Sequence, residues 1–138
     1  MTTTLAEFID DYEFLDDWED RFRSLIELGD ELPPLADELH APEYLVQGCQ
    51  SKVWLVGEVS PGDPPRLVFQ ADSDAKLVKG LVALLLLVYS NKTPRDILDF
   101  DAEGLFKRLQ LSKHLVPMRS NGLRSMVNRI RQLAAENA

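Results

Sequence analysis

Apolar residues Leu5, Phe8, Ile9, Tyr12 and Leu15 recur at helical spacing, which predicts a short amphipathic helix with its acidic residues turned to water. Trp18, Phe22, Leu25 and Ile26 share one face of a second helix, so the two aromatics read as core. Asp16 or Asp17 is its expected cap, and Gly29 its expected terminator ahead of Pro33-Pro34. A helical or turn segment over residues 35–39 gives way at Pro42 to a loop. Residues 53–59 and 66–71 are rich in β-branched and aromatic side chains, and the Pro- and Gly-containing segment 60–65 between them predicts an antiparallel hairpin. Two strands alone are marginal, so a third is expected over residues 44–47.

Asp72-Ser73-Asp74 reads as a capping cluster for a long helix over residues 75–90, whose nearly all-apolar second half requires burial on most sides. Capping accounts for Asp72 and Asp74 better than a carboxylate pair for acid-base work, because carboxylates satisfy free N–H groups and meet the positive end of the dipole. Thr93 caps a further helix with Pro94 at its first position, and Asp101 begins another that carries Leu105, Phe106 and Leu109. The last helix is expected over residues 120–135, with Leu123, Val127, Ile130 and Ala134 on one face and Arg124, Arg129 and Arg131 elsewhere. Helices from both ends of the chain around a small antiparallel sheet of about three strands give an α+β fold. One domain over residues 1–138 is expected, since no repeat, low-complexity tract or linker interrupts the pattern.

At 138 residues and 45% hydrophobic, the chain has material for a single core. Its net charge of -8 is unevenly spread. Residues 1–43 carry 14 acids and 2 bases, a balance of -12, while residues 44–138 carry 9 acids and 13 bases, a balance of +4. Both regions read most simply as solvated helix faces, and the overall acidity argues against a nucleic-acid partner, which needs clustered Lys and Arg. The longest apolar run, Leu81 to Tyr89, falls far short of the ~20 residues that span a bilayer. No basic-plus-apolar signal precedes the acidic start, and with one free thiol this leads to an expected cytoplasmic, reducing setting without membrane partners.

Cys49 is the only cysteine, set in Val46-Gln47-Gly48-Cys49-Gln50-Ser51-Lys52-Val53-Trp54, and has no partner for an internal disulfide. Small and amide neighbours, Gly48, Gln50 and Ser51, offer hydrogen bonds to a thiolate and leave the sulfur approachable. A lone cysteine also behaves often as a small buried hydrophobe, and spacing alone does not separate the two. One cysteine and the distant His40 and His114 lack ligand spacing, so no metal is expected. His40 reads as a surface histidine. His114 as the base of a Cys-His hydrolase lacks an identifiable third orienting residue.

The segment Gln47-Gly48-Cys49-Gln50-Ser51-Lys52-Val53-Trp54 resembles the signature of the SufE/CsdE family of sulfur-acceptor proteins. Three further blocks resemble the family in order: Trp18-Glu19-Asp20-Arg21-Phe22 with Ile26-Glu27-Leu28-Gly29-Asp30-Glu31-Leu32-Pro33; Asp72-Ser73-Asp74-Ala75 with Val78-Lys79-Gly80-Leu81; and His114-Leu115-Val116-Pro117-Met118-Arg119-Ser120-Asn121-Gly122-Leu123. Tyr44 departs from the asparagine of many relatives. The resemblance implies that Cys49 accepts persulfide sulfur from a cysteine desulfurase, stimulates that enzyme, and passes sulfur to a downstream acceptor or a scaffold for iron-sulfur cluster assembly. The chain is then a covalent sulfur-transfer partner rather than a stand-alone enzyme. The pyridoxal phosphate belongs to the desulfurase, and this chain needs no cofactor; Lys52, Lys76 and Lys79 read as surface cations. Arg119, in the last block, is expected to contact the sulfur anion or the partner, with a surface ion pair as the plain alternative. Two rivals stay open: a regulatory binding module with an inert Cys49, and a Cys-dependent hydrolase.

Overall fold

In the computed structural model, which describes residues 1–138, helices α1 (Leu5–Phe14) and α2 (Trp18–Asp30) precede two short 3-10 turns, Asp37–Leu39 and Pro42–Tyr44. Strands β1 (Val53–Ser60) and β2 (Arg66–Ser73) follow, then α3 (Lys76–Tyr89), α4 (Pro94–Asp99), α5 (Ala102–Arg108), α6 (Leu111–His114) and α7 (Pro117–Glu136). The class is α+β, with helices from both ends of the chain around a hairpin. Local signals set many of the boundaries: the side chains of Asp17, Thr93 and Asp101 accept from Glu19, Asp96 and Gly104 N–H groups at the starts of α2, α4 and α5. No helix is long and apolar enough to cross a membrane.

The sheet has two strands, not three. They pair antiparallel from Val53 opposite Ser73 to Ser60 opposite Arg66. The expected third strand reduces to a single bridge between Leu45 and Trp54. Its length is cut on both sides, by the 3-10 turn ending at Tyr44 and by Gly48, whose φ of +87° turns the chain away. Along β2, Leu67, Phe69, Ala71 and Ser73 point inward, and α3 packs against that face. Leu81, Val82, Ala83, Leu84 and Leu85 of α3 are all buried, as expected of a helix apolar almost all round.

Gly29 does not terminate α2; it lies inside the helix, which ends at Asp30. Its role is tertiary. A Cβ on Gly29 would stand 2.8 Å from the Gly80 backbone nitrogen, and one on Gly80 would overlap the Leu25 carbonyl. The two glycines let α2 and α3 meet backbone to backbone. The last helix starts at Pro117, three residues before its expected start, because Pro117 takes the first helical position. The four-residue α6, not anticipated, precedes it.

Candidate functional site

Residues 47–51 form a loop held at its base from two directions. The Val46 N–H donates to the Val53 carbonyl at 2.9 Å, joining the two ends of the loop. Beside it, the Ser73 hydroxyl donates to the Lys52 carbonyl at 2.8 Å, and the Lys52 N–H donates to Asp74 Oδ1 at 3.0 Å. Asp72-Ser73-Asp74 therefore does not cap α3 as the sequence suggested. The N-cap position is Ala75, which supplies no capping side chain, and the aspartates are drawn off to tertiary partners. Asp72 receives His40 Nε2 at 2.8 Å and lies 3.5 Å from the Lys79 ammonium. This ties the segment before the loop to β2, and the His40 ring stands edge-on to Trp54 at 4.8 Å. The Asp72 hydrogen bond raises the His40 pKa, and at Asp72 hydrogen bonds from His40 and Ser73 outweigh the upward push of burial. His40 is thus a partly exposed structural tie.

Gly48 carries the loop across α7. Its φ lies in the left-handed region, and a Cβ there would sit 2.6 Å from Ser125 Oγ, so both backbone and space favour glycine. The crossing directs Cys49 at the N-terminal half of α7. Its Sγ donates a long hydrogen bond, 3.5 Å, to the Gly122 carbonyl, and a Cβ on Gly122 would stand 3.6 Å from the same sulfur.

The half-buried thiol faces a cavity of about 20 Å³, room for about one water-sized body, walled by Val78, Met118, Arg119, Gly122 and Met126. Gln50 and Ser51 complete its rim without hydrogen-bonding to the sulfur. Arg119 lines the same cavity. Met118, Gly122 and Met126 were not singled out, although their spacing of four puts all three on one stripe of a helix. Met118 of the cavity wall exposes 58% of its surface, and Val116, two residues before it in sequence, exposes 56%. Larger depressions, of about 690 and 450 Å³, lie over α5–α6 and on the far side of the loop crossing, and neither contains the sulfur.

His114 takes no part in the site. Its ring stacks on Trp18 with centroids 3.5 Å apart, and no imidazole lines the cavity. The thiol accordingly has neither a base nor an anion-stabilising donor at hydrogen-bond range.

Burial pushes the Cys49 thiol pKa up. In the resting chain the sulfur is therefore a protonated thiol at neutral pH. Alkylation of the folded protein at pH 8 is expected to run slower than that of an unstructured cysteine peptide, with a rate midpoint above the usual ~8.5, and to become ordinary in denaturant. Because the folded state holds this proton more tightly than the unfolded one, its contribution to stability is complete below the unfolded pKa. It is lost as pH rises through the folded one. Cys49→Ala should flatten that alkaline slope in denaturant melts at stepped pH.

The family model described as SufE: Fe-S metabolism associated domain matches residues 6–134. An uncharacterized SufE-like protein of Rhizobium etli is 52% identical over 137 residues, covering 98% of this chain and 92% of the relative. One of Rhizobium meliloti is 45% identical over 133 residues, with coverage of 96% and 95%. In structure, the chain is similar to a hypothetical protein from Thermus thermophilus solved in solution. The TM-score is 0.75 at 20% identity, covering 96% of this chain and 94% of that one, a likeness of fold.

Proposed function

This chain belongs to the SufE family of Fe-S metabolism associated domains, and from that membership we propose that Cys49 relays sulfur from a cysteine desulfurase to a downstream acceptor or cluster scaffold. The single observation that carries this reading is the placement of the chain's only thiol at the tip of a loop anchored at its base and nearly free at its tip.

The step balances without a cofactor in this chain. The Cys49 thiolate attacks the terminal sulfur of a persulfide on the partner's cysteine; a new S–S bond forms on Cys49 while the partner's S–S bond breaks. The departing partner thiolate takes up the proton that Cys49 lost, and nothing is oxidised or reduced overall. Pyridoxal phosphate acts earlier, in the desulfurase, where it supplies the chemistry that frees sulfur from cysteine.

A resting thiol with a raised pKa is a poor nucleophile and a poor target for oxidants, which suits a carrier between transfers. Docking then has to move it. The weak Gly122 contact makes withdrawal of the tip cheap, while the clamps at Val46–Val53 and Lys52–Asp74 keep the base in place. Arg119 lines the same cavity, and its role in this reading is to meet the thiolate or persulfide anion after docking has moved the tip. The exposed Met118, in the wall of the Cys49 cavity, offers the partner an apolar contact. A reducing cytoplasm is the compartment in which such a thiol persists.

Steady-state rates test the reading. Added wild-type protein should raise cysteine turnover by the desulfurase, Cys49→Ala should not, and His114→Ala should match wild type. Stimulation by Cys49→Ala would instead establish a docking module with an inert thiol. Hydrolysis of an ester or amide without the desulfurase, lost in His114→Ala, would establish a hydrolase.

A further inference from the structure

The two anchors of the Cys49 loop belong to separate stretches of chain. Leu45 and Val46 lead into the loop and are fixed to β1, while Ser73 and Asp74 grip its exit at Lys52. One side chain spans them. His40, five residues before Leu45, reaches Asp72, whose other carboxylate oxygen accepts the Ser73 N–H at 2.8 Å. We infer that His40 is a positioning residue for Cys49: its doubly protonated ring ties the entry of the loop to the grip on its exit, and loss of one ring proton loosens the loop.

The geometry demands two protons on the ring. Nε2 lies 2.8 Å from Asp72 Oδ2 and Nδ1 lies 3.1 Å from the Ala36 carbonyl, and neither oxygen has a hydrogen to give, so both nitrogens must donate. Asp72 is held as a carboxylate, with the Lys79 ammonium of α3 3.5 Å from its Oδ1. The other charge facing the ring is Asp37 of its own turn, which favours the same imidazolium, while β1 presents the uncharged Trp54 ring. A neutral ring keeps one N–H, so a nitrogen lone pair must then face an oxygen at either Asp72 or Ala36. Lys79 keeps Asp72 charged through this change, and the mismatch persists. The side chain is 25% exposed, so its proton exchanges with bulk water without unfolding. Because the folded state holds this proton more tightly than the unfolded one, the tie is complete below the ordinary histidine value of about 6.5. It is lost as pH rises through the higher folded value.

The inference takes Cys49 as the working thiol, as proposed above, but its test needs no desulfurase. Reaction of Cys49 with a pyridyl disulfide is followed from about pH 5.5 to about pH 8.5 in wild type, His40→Arg and His40→Gln, and the rate ratio between chains at one pH cancels the common rise in thiolate. Arginine keeps the charge at every pH, and glutamine never carries it. Wild type should match His40→Arg at the acid end and exceed it about threefold at the alkaline end, within what a partly exposed charged pair contributes. The midpoint of that change should coincide with the His40 ring titration read by NMR, above about 6.5. His40→Gln should run at the faster rate throughout. A merely structural histidine would change the rates of both variants by a factor independent of pH. That result, or a His40 ring midpoint at or below about 6.5, overturns the inference. Failure of sulfur loading from a desulfurase would leave these rates unaffected, so the two readings fail separately.

Discussion

Gly80→Ala is expected to lower the stability of this protein by about 3 kcal/mol or more, at the upper end of overpacking costs because the obstacle is main chain. The added methyl would meet the Leu25 carbonyl, with the Leu25 carbonyl carbon and the Ile26 nitrogen close behind. A side chain could rotate away, but a carbonyl inside α2 cannot move unless the helix moves. The two helices would have to part along an interface containing Leu25, Leu28, Leu81 and Leu84, all 2% exposed or less. Alanine's better helix propensity returns about 1 kcal/mol, too little to offset this. A fall in melting temperature of about 10 °C or more is the expected reading in a thermal scan. An unchanged melt would mean that the α2–α3 approach is looser than described.

The same substitution forty-two residues further on is expected to act in the opposite direction on stability and to impair chemistry. Gly122 lies inside α7 with ordinary helical backbone, and its added Cβ would make only van der Waals contact, 3.6 Å from Cys49 Sγ and 3.7 Å from Cys49 Cα. Gly122→Ala should therefore gain up to about 1 kcal/mol from helix propensity. It also places a methyl group where the thiol rests and narrows a cavity that holds one small body. Sulfur loading from a desulfurase should slow by about tenfold or more, since small displacements of a reacting atom have large kinetic effects. A melt shifted upward together with a loading time course shifted downward is the expected pair of results. Loading at the wild-type rate would show that the space beside Gly122 is not used in transfer.

These two glycines also show where sequence reading stops. Caps formed within a turn were legible: Asp17, Thr93 with Pro94, and Asp101 each act on an N–H two or three residues away. Gly29 looked like a helix terminator because glycine near a helix end has a local meaning, and its real reason, the Gly80 backbone 51 residues away, leaves no local trace. Asp72, Ser73 and Asp74 carried a strong capping signal, yet Lys52 and His40 drew those groups away. Strand length at Leu45 was overestimated because a single bridge and a strand look alike in four residues.

At the site, Cys49 and its supporting Gly48 stood out in sequence because both are chemically singular. The two halves of the pocket wall did not, because Val78 belongs to α3 while Met118 and Met126 belong to α7, and only folding brings them to the loop. Gln50 and Ser51 were expected as donors to the sulfur; in the resting chain the Gly122 carbonyl is instead the acceptor for its proton. Burial of the sulfur is why the resting thiol is protonated and why activation is assigned to docking.

The relay is tested most directly by weighing the intact chain after incubation with a cysteine desulfurase and cysteine, without reductant, and then mapping the modified peptide. A gain of one sulfur atom located on Cys49, absent from Cys49→Ser, is the predicted result. No gain in the wild-type chain, or an equal gain in Cys49→Ser, would contradict it.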